Sequence, residues 1–353
     1  MAHNTEQRIA RAVRGVGYSP ARRRFLDREV AFAHPGEVAR LGYERLSEVV
    51  KDMKRLHVID GTYGLYRAHY SKRPSKFAPN GQDVKGTAGL MSSLLGLLAD
   101  QHEGVTHIAV AFDNPIESFR NELFAGYKTG EGMEPLLVAQ MGLVEEAVAA
   151  LGIVVWSMAE FEADDALATA AVKYRPDVDQ VRIMTADKDL GQSVDGDVVI
   201  QVDRMRDRII NEQGVVERNG VPPKSIPDWL GLVGDTADGI PGLAGFGAKS
   251  AATLLTEYGA IEEIPDDPQT WRVNVRGAAR LGETLSRERP AALLYKQLAT
   301  LRAAVPLAEP EVVVRSWKWR RGKCRRISAA SRRCESSSDL VGSRACTSHA
   351  HTQ

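Results

Sequence analysis

Cysteine is almost absent from this chain: Cys324, Cys334 and Cys346 are its whole complement, all in the last thirty residues and without metal-ligand spacing. A disulfide framework and a thiolate metal site are therefore excluded for the rest of the chain, and a reducing cytoplasm is the expected setting. No apolar run approaches the ~18 residues of a membrane span, so no membrane partner is expected. Met1 to Arg24 lacks the apolar stretch of a secretory signal. Charge of one sign is missing too: 46 basic and 46 acidic residues cancel, so a polyanionic partner would have to be met by local patches. What is present, 43% apolar and 26% charged residues over 353 positions, suits two domains, or one large domain with appendages.

Acids are placed with a pattern. Leu56-His57-Val58-Ile59 ends in Asp60, Ile108 to Phe112 ends in Asp113, and Val181 to Ala186 ends in Asp187, with Asp189 two residues on. Each run reads as a buried strand, and each delivers an aspartate at its carboxyl end. One such residue is ordinarily a turn former or a helix cap. Several facing one crevice repel each other unless cations are present, and that edge of an open α/β sheet is where ligands bind. Glu162, Asp164 and Asp165 then open an amphipathic run, Ala166 to Tyr174. Acids in a first helical turn are favoured by the dipole alone, so by themselves they are no site. Together with the strand-end aspartates they point to hard metal ions held by oxygen.

In chain order, residues 1–52 are basic and helix-prone (Arg8, Arg11, Arg14, Arg22 to Arg24) and are expected to lie outside the fold. Residues 53–221 alternate strand and helix, the rhythm of a mainly parallel sheet flanked by helices. Within them the stretch from Ser71 to Gly86 is irregular and carries Lys72, Arg73 and Lys76, while Thr129 to Pro135 should be mobile or stretched over a ligand. Helices are expected at 87–100, 136–151 and 250–258 and, less sharply bounded, from Ile261 to Val305.

Residues 222–310 contain a second notable stretch, Gly234-Asp235 through Asp238 to Gly242, Gly245, Gly247 and Lys249. Its glycines let the backbone approach a phosphate, with the amides of the next helix and the Lys249 charge nearby. A lone glycine hairpin is more often a plain turn; preceded by two acids, it becomes informative. Residues 311–353 differ again, with nine Arg or Lys and no acid from Arg315 to Arg333, then a Ser, Cys and His mixture. This is expected to be a basic disordered arm or a non-native tail.

These residues resemble the bacterial 5′→3′ exonuclease and flap endonuclease family, which includes the exonuclease domain of DNA polymerase I. The resemblance rests on Val58 to Gly61, Phe112-Asp113, Ser118 to Arg120, Tyr127-Lys128, Glu162 to Asp165, Thr185 to Leu190 and Gly234 to Gly247, in family order. It implies an α/β, PIN-like or resolvase-like core with a C-terminal helix–hairpin–helix (helix–three-turn–helix) subdomain. It implies two divalent ions, Mg²⁺ with Mn²⁺ able to substitute. Asp60, Asp113, Glu162, Asp164 and Asp165 would serve the first, and Asp187, Asp189, Asp235 and Asp238 the second. Arg67, Arg120 and Lys128 would hold the scissile phosphate, and Tyr127 would stack on a base. Gly242, Gly245, Gly247 and Lys249 would grip the duplex, with K⁺ at the hairpin, and Thr129 to Leu136 would form the arch that a single strand threads. The substrate implied is DNA with a 5′ flap, a nick or a single-stranded 5′ end, or an RNA primer, cut by a free-standing monomer. One departure stands out: the family often has Arg where this chain has Glu131.

Such a site would activate a water and stabilise the leaving oxygen of an in-line displacement. Rival readings are a haloacid-dehalogenase-type phosphotransferase, a PIN-type ribonuclease and a catalytically weak binder of structured DNA. The first would want a second Asp at position 62, where Thr62 stands. The second lacks the glycine hairpin, and the third would have shed acids that this chain retains.

Overall fold

The computed structural model describes residues 53–307; the expectations placed on 1–52 and on 311–353 lie outside the described residues. Six strands form one sheet: β1 (Arg55–Asp60), β2 (His107–Asp113), β3 (Val154–Met158), β4 (Gln180–Met184), β5 (Val199–Asp203) and β6 (Arg208–Ile210). Their order is β3-β2-β1-β4-β5-β6, parallel throughout except for β6, which runs antiparallel to β5. β1, β2, β4 and β5 are buried along almost their whole length, as strands covered on both faces must be. The chain builds outward from β1 to β3 and returns to place β4 on the other side of β1. That reversal opens a crevice at the carboxyl ends of β1 and β4. Register aligns those ends, with Asp60 opposite Ala111 of β2 and Ile59 opposite Met184 of β4.

One face of the sheet is covered by α1 (Gly61–His69), α2 (Lys85–Ala99) and α5 (Met141–Ala150), whose Leu65, Leu90, Leu94, Val144 and Val148 pack on Ile59, Val110 and Ile200. The other is covered by α6 (Ala163–Tyr174), which reaches Leu56, Val58 and Ile183 through Ala166, Leu167 and Ala170. Small α6 residues bring that helix close to the sheet, and Val305 and Leu307 complete the layer. The short α3 (Phe119–Leu123) and α4 (Pro135–Val138) lie in the stretch between β2 and α5. Beyond β6, α7 (Glu212–Asn219), α8 (Ile226–Val233), α9 (Ala248–Tyr258) and α10 (Ala278–Ala299) enclose a separate apolar cluster around Leu230, Leu232, Leu254, Leu255, Leu281 and Leu285. α8, its hairpin and α9 form the helix–hairpin–helix unit.

One helix was not foreseen from the sequence, and two expected helices are revised. Helix α1 follows β1 without a break, although Gly61 and Gly64 argue against helix there. Gly61 is required by packing, because a Cβ would lie 2.4 Å from the ring of Phe112. The helix expected at 136–151 is two pieces, broken after Val138. The series of helices expected after Ile261 is mainly one 22-residue helix, α10, which accommodates Pro290 in its interior.

Candidate active site

Asp60 ends β1 and caps α1: one carboxylate oxygen accepts from the Tyr63 amide at 2.9 Å and the other from the Thr185 hydroxyl at 3.0 Å. The cap and the site are thus the same residue. Asp113, at the end of β2, accepts from the Ala163 amide at 2.7 Å, which ties the sheet edge to the start of α6. Burial pushes the Asp60 carboxyl up to about 7, with Asp113 and Asp187 adding to the shift. Burial likewise raises Asp113 and Asp164, and Asp60, Asp187 and Asp113 all repel a charge on Asp164.

The second half of the cluster comes from the helical turn after β4, which begins at Asp189, and from a tight hairpin. The Asp235 amide and carbonyl bond reciprocally with Ile240, both at 2.8 Å, and this tight loop turns Asp235 and Asp238 towards the sheet edge. Gly242 closes it with φ +68°, where a Cβ would lie 2.4 Å from the Val233 carbonyl carbon. Oxygens of Asp189, Asp235 and Asp238 lie within 4.8 Å of one another. Burial raises Asp189 and Asp238, and Asp187, Asp238 and Asp235 reinforce the shift at Asp189. One buried Asp189 oxygen, Oδ1, has no hydrogen-bond partner. Desolvated carboxylates pressed together and left short of donors fit a hard divalent cation, for which an all-oxygen ligand set is the usual one.

Two lysines lie against this cluster. The Lys128 ammonium bonds Glu162 at 2.8 Å and Asp238 at 2.9 Å, joining α6 to the hairpin. Its backbone amide also donates to the Asp238 carbonyl at 3.0 Å. Burial opposes its charge, but Glu162 and Asp238 outweigh burial and hold its pKa well above the ordinary lysine value. Lys188, between Asp187 and Asp189, bonds Asp235 at 2.8 Å. Lys188 and Thr185 are site residues that the sequence reading passed over. The available signal was a lysine flanked by two aspartates just past a strand end.

Three expectations are corrected. Arg120, 1% exposed, does not reach the crevice. It forms a double bond pair with Asp165 at 2.7 and 2.8 Å and donates to the carbonyls of Leu298 and Thr300. Asp165, fully buried, is spent on Arg120 and on the amides of Glu162 and Arg302, so neither residue is available to phosphate or metal. Tyr127 is 4% exposed with its hydroxyl on Glu162, and presents no face to a base. Gly242 is half-buried against the end of α8 and shapes the hairpin.

The other residues sit as follows. Glu162 is buried, with Ser118 and Arg120 on one oxygen and Lys128 and Tyr127 on the other. Arg67 is exposed and lines a cavity of about 590 Å³ that Asp60 also lines. Gly245, Gly247 and Lys249 are exposed together at the start of α9. Glu131 is exposed, and its amide donates to the Thr129 hydroxyl.

Comparison with known proteins agrees with this architecture. Residues 55–220 match the family model for the 5'-3' exonuclease N-terminal resolvase-like domain, and residues 221–320 the model for the 5'-3' exonuclease C-terminal SAM fold. A 5'-3' exonuclease of Aquifex aeolicus is 32% identical over 213 residues, 60% of this chain and 72% of that protein. DNA polymerase I of Mycobacterium leprae is 32% identical over 288 residues, 80% of this chain but only 31% of that protein. The chain therefore spans about a third of the length of the polymerase relatives it matches. Among solved structures, T5 5'-exonuclease with divalent zinc ions superposes with a TM-score of 0.56 at 18% identity, covering 70% of this chain and 90% of that one. That likeness shows a shared fold. With both halves of the described chain matched by consecutive domain models, the chain belongs to the 5'-3' exonuclease family.

Proposed function

We propose that the chain hydrolyses phosphodiester bonds of DNA from or near a 5′ end, as a metal-dependent exonuclease and flap endonuclease. The observation that carries this reading is the acid cluster assembled from two separate parts of the fold, with a buried Asp189 oxygen left without a donor. Asp60, Asp113 and Asp164 would hold one divalent ion with Glu162 behind them, and Asp187, Asp189, Asp235 and Asp238 a second. Divalent ions there would supply a hydroxide nucleophile at neutral pH and balance charge on the departing oxygen. Mg²⁺ is the proposed ion, with Mn²⁺ as a substitute.

The chain's own groups supply the rest. The Lys128 ammonium, anchored between Glu162 and Asp238, is placed to meet charge developing on the phosphoryl group. Arg67, on the open side of Asp60, would hold the same phosphate or its neighbour. Thr185 fixes the orientation of Asp60, and the Arg120–Asp165 pair fixes the start of α6. Gly245, Gly247 and Lys249 would meet a duplex backbone through amides and one charge, with K⁺ able to bridge hairpin and phosphate. Recognition would follow backbone shape and weaken with salt. The substrates proposed are DNA carrying a 5′ flap, a nick or a single-stranded 5′ end, and RNA primers, met by a cytoplasmic monomer. Among the described residues no helix is long and apolar enough to cross a membrane.

The test is incubation with 5′-labelled flap, nicked and single-stranded DNA in Mg²⁺ or EDTA, beside Asp187→Ala. The expected result is Mg²⁺-dependent release of 5′ fragments near the junction, lost in the variant. Tight flap binding without cleavage in Mg²⁺ or Mn²⁺ would favour a binding protein instead.

A further inference from the structure

The cavity beside Asp60 extends well past the acid cluster. It runs between α1, α2 and the turn joining β5 to β6, encloses about 590 Å³ and ends at the rim in Tyr70 and Met205, both 59% exposed. Its floor is apolar, with Leu90, Leu94 and Val202. Its walls are cationic. Arg67 and Arg73 form no ion pair or hydrogen bond through their guanidinium groups among the described residues, and both line the cavity. Arg204 reaches across from the end of β5 to the carbonyl and hydroxyl of Ser93 on α2, at 3.3 and 3.5 Å, and so holds its charge over the opening. The one other acid in the lining, Asp203, is already bonded to Arg206 at 2.8 Å and to the Met205 and Arg206 amides.

The aromatic at the rim is held in place. Tyr70 packs edge-on against His69 at 4.9 Å and lies 6.0 Å from Tyr66, which fixes its ring while more than half of the residue stays open to solvent. Gly89 allows α1 and α2 to close up behind it, since a Cβ there would lie 2.6 Å from that of Ala68. The Arg73 guanidinium lies beside the same glycine, 3.7 Å from where that Cβ would be. A fixed aromatic face, unpaired guanidinium groups and an apolar floor are together the means by which proteins hold single-stranded nucleic acid.

We propose that this cleft binds one unpaired nucleotide, its base stacked on Tyr70 and its phosphates held by Arg67, Arg73 and Arg204. The proposal rests on the nuclease reading, because it extends the path of the strand away from Asp60. It also gives a use to the basic stretch after α1 that the acid cluster does not involve. The unpaired nucleotide could come from a strand running on from the site or from a released mononucleotide.

The test uses the full chain in EDTA, where strands are not cut, and isothermal titration. Three probes are compared: 5′-phosphorylated trideoxyadenylate, the same trimer without bases, and dAMP. The intact trimer should bind about tenfold more tightly than the abasic one. Tyr70→Ala should erase that difference and Tyr70→Phe restore it, while Arg73→Gln should weaken both trimers to a similar degree. Competition between dAMP and the trimer would identify the released mononucleotide as an occupant; binding of the trimer alone would assign the cleft to a strand. Base-independent binding, or binding unchanged in Tyr70→Ala, would overturn the proposal. If such a chain still cuts flap DNA in Mg²⁺, the nuclease reading survives that failure. Base-dependent binding by a chain that cuts nothing would have the opposite meaning.

Discussion

Asp165 meets the guanidinium of Arg120 through bonds of 2.7 and 2.8 Å, whereas its neighbour Asp164 has no ion-pair partner among the described residues and faces Asp60, Asp187 and Asp113. Consecutive positions on a helix point about 100° apart, so the first turn of α6 sends one acid into the core and the other into the crevice. The environments have opposite electrostatic signs. Burial opposes the charge of Arg120, but the Asp165 bond and the Glu162 charge outweigh it and hold the guanidinium more firmly protonated than usual. At Asp164 burial and repulsion both push the carboxyl towards neutrality. The core pair is satisfied within the protein, whereas the crevice acids are left to repel one another.

Breaking the core side of this contrast should have the largest effect on stability. Arg120→Leu leaves Asp165 buried without its partner and should cost about 3–5 kcal/mol. Urea unfolding measures this, and a loss below about 1 kcal/mol would move Arg120 out of the structural class. On the crevice side, Asp189→Asn should slow cleavage roughly a hundredfold or more. Its melting temperature in EDTA should hold or rise, because a repulsive charge has gone. A fall as large as that in Arg120→Leu would erase the distinction between the two regions.

The contrast also sets a pH dependence. The Asp60 carboxyl titrates at about 7 in the folded chain and in the ordinary carboxylate range when unfolded, so the folded form binds more protons between those limits. Stability in EDTA should therefore fall as pH rises from about 4 to about 7, and Mg²⁺ should flatten that slope. At the opposite end of the sheet the sign reverses. Burial works to raise Glu103, but its bond to His57 and the Arg182 charge outweigh it and hold it at about 2. That group's stabilisation is lost as pH falls from the ordinary carboxylate range towards 2. Melting curves across pH with and without Mg²⁺ separate the two. The smallest expected effect is that of Lys249→Ala, which should weaken nicked-duplex binding and reduce its salt slope by about 1.

Much of this architecture was legible in the sequence, for identifiable reasons. Strands β1, β2 and β4 announce themselves because parallel strands buried on both faces are mainly apolar runs, interrupted here only by His57 in β1 and Arg182 in β4, and their terminal aspartates follow directly. The Asp235 hairpin is legible because its glycines are demanded by a reversal too tight for other residues. Helix α1 was hidden, since Gly61 and Gly64 serve packing against Phe112 and Leu90 at the expense of helix propensity. The roles of Arg120 and Asp165 were hidden as well. A motif shows that an acid begins a helix, but the Leu298 and Thr300 carbonyls that complete the Arg120 site lie nearly 180 residues away.

The most direct single test is paired analysis of Asp164→Asn and Asp165→Asn, with urea unfolding in EDTA and single-turnover flap cleavage in Mg²⁺ measured on the same preparations. Asp164→Asn should keep or gain stability and lose cleavage. Asp165→Asn should lose stability by kilocalories, and whatever folds should retain a larger share of the rate. Equal losses of stability in both variants, or full cleavage by Asp164→Asn, would contradict the division of this helix start into a structural acid and a working one.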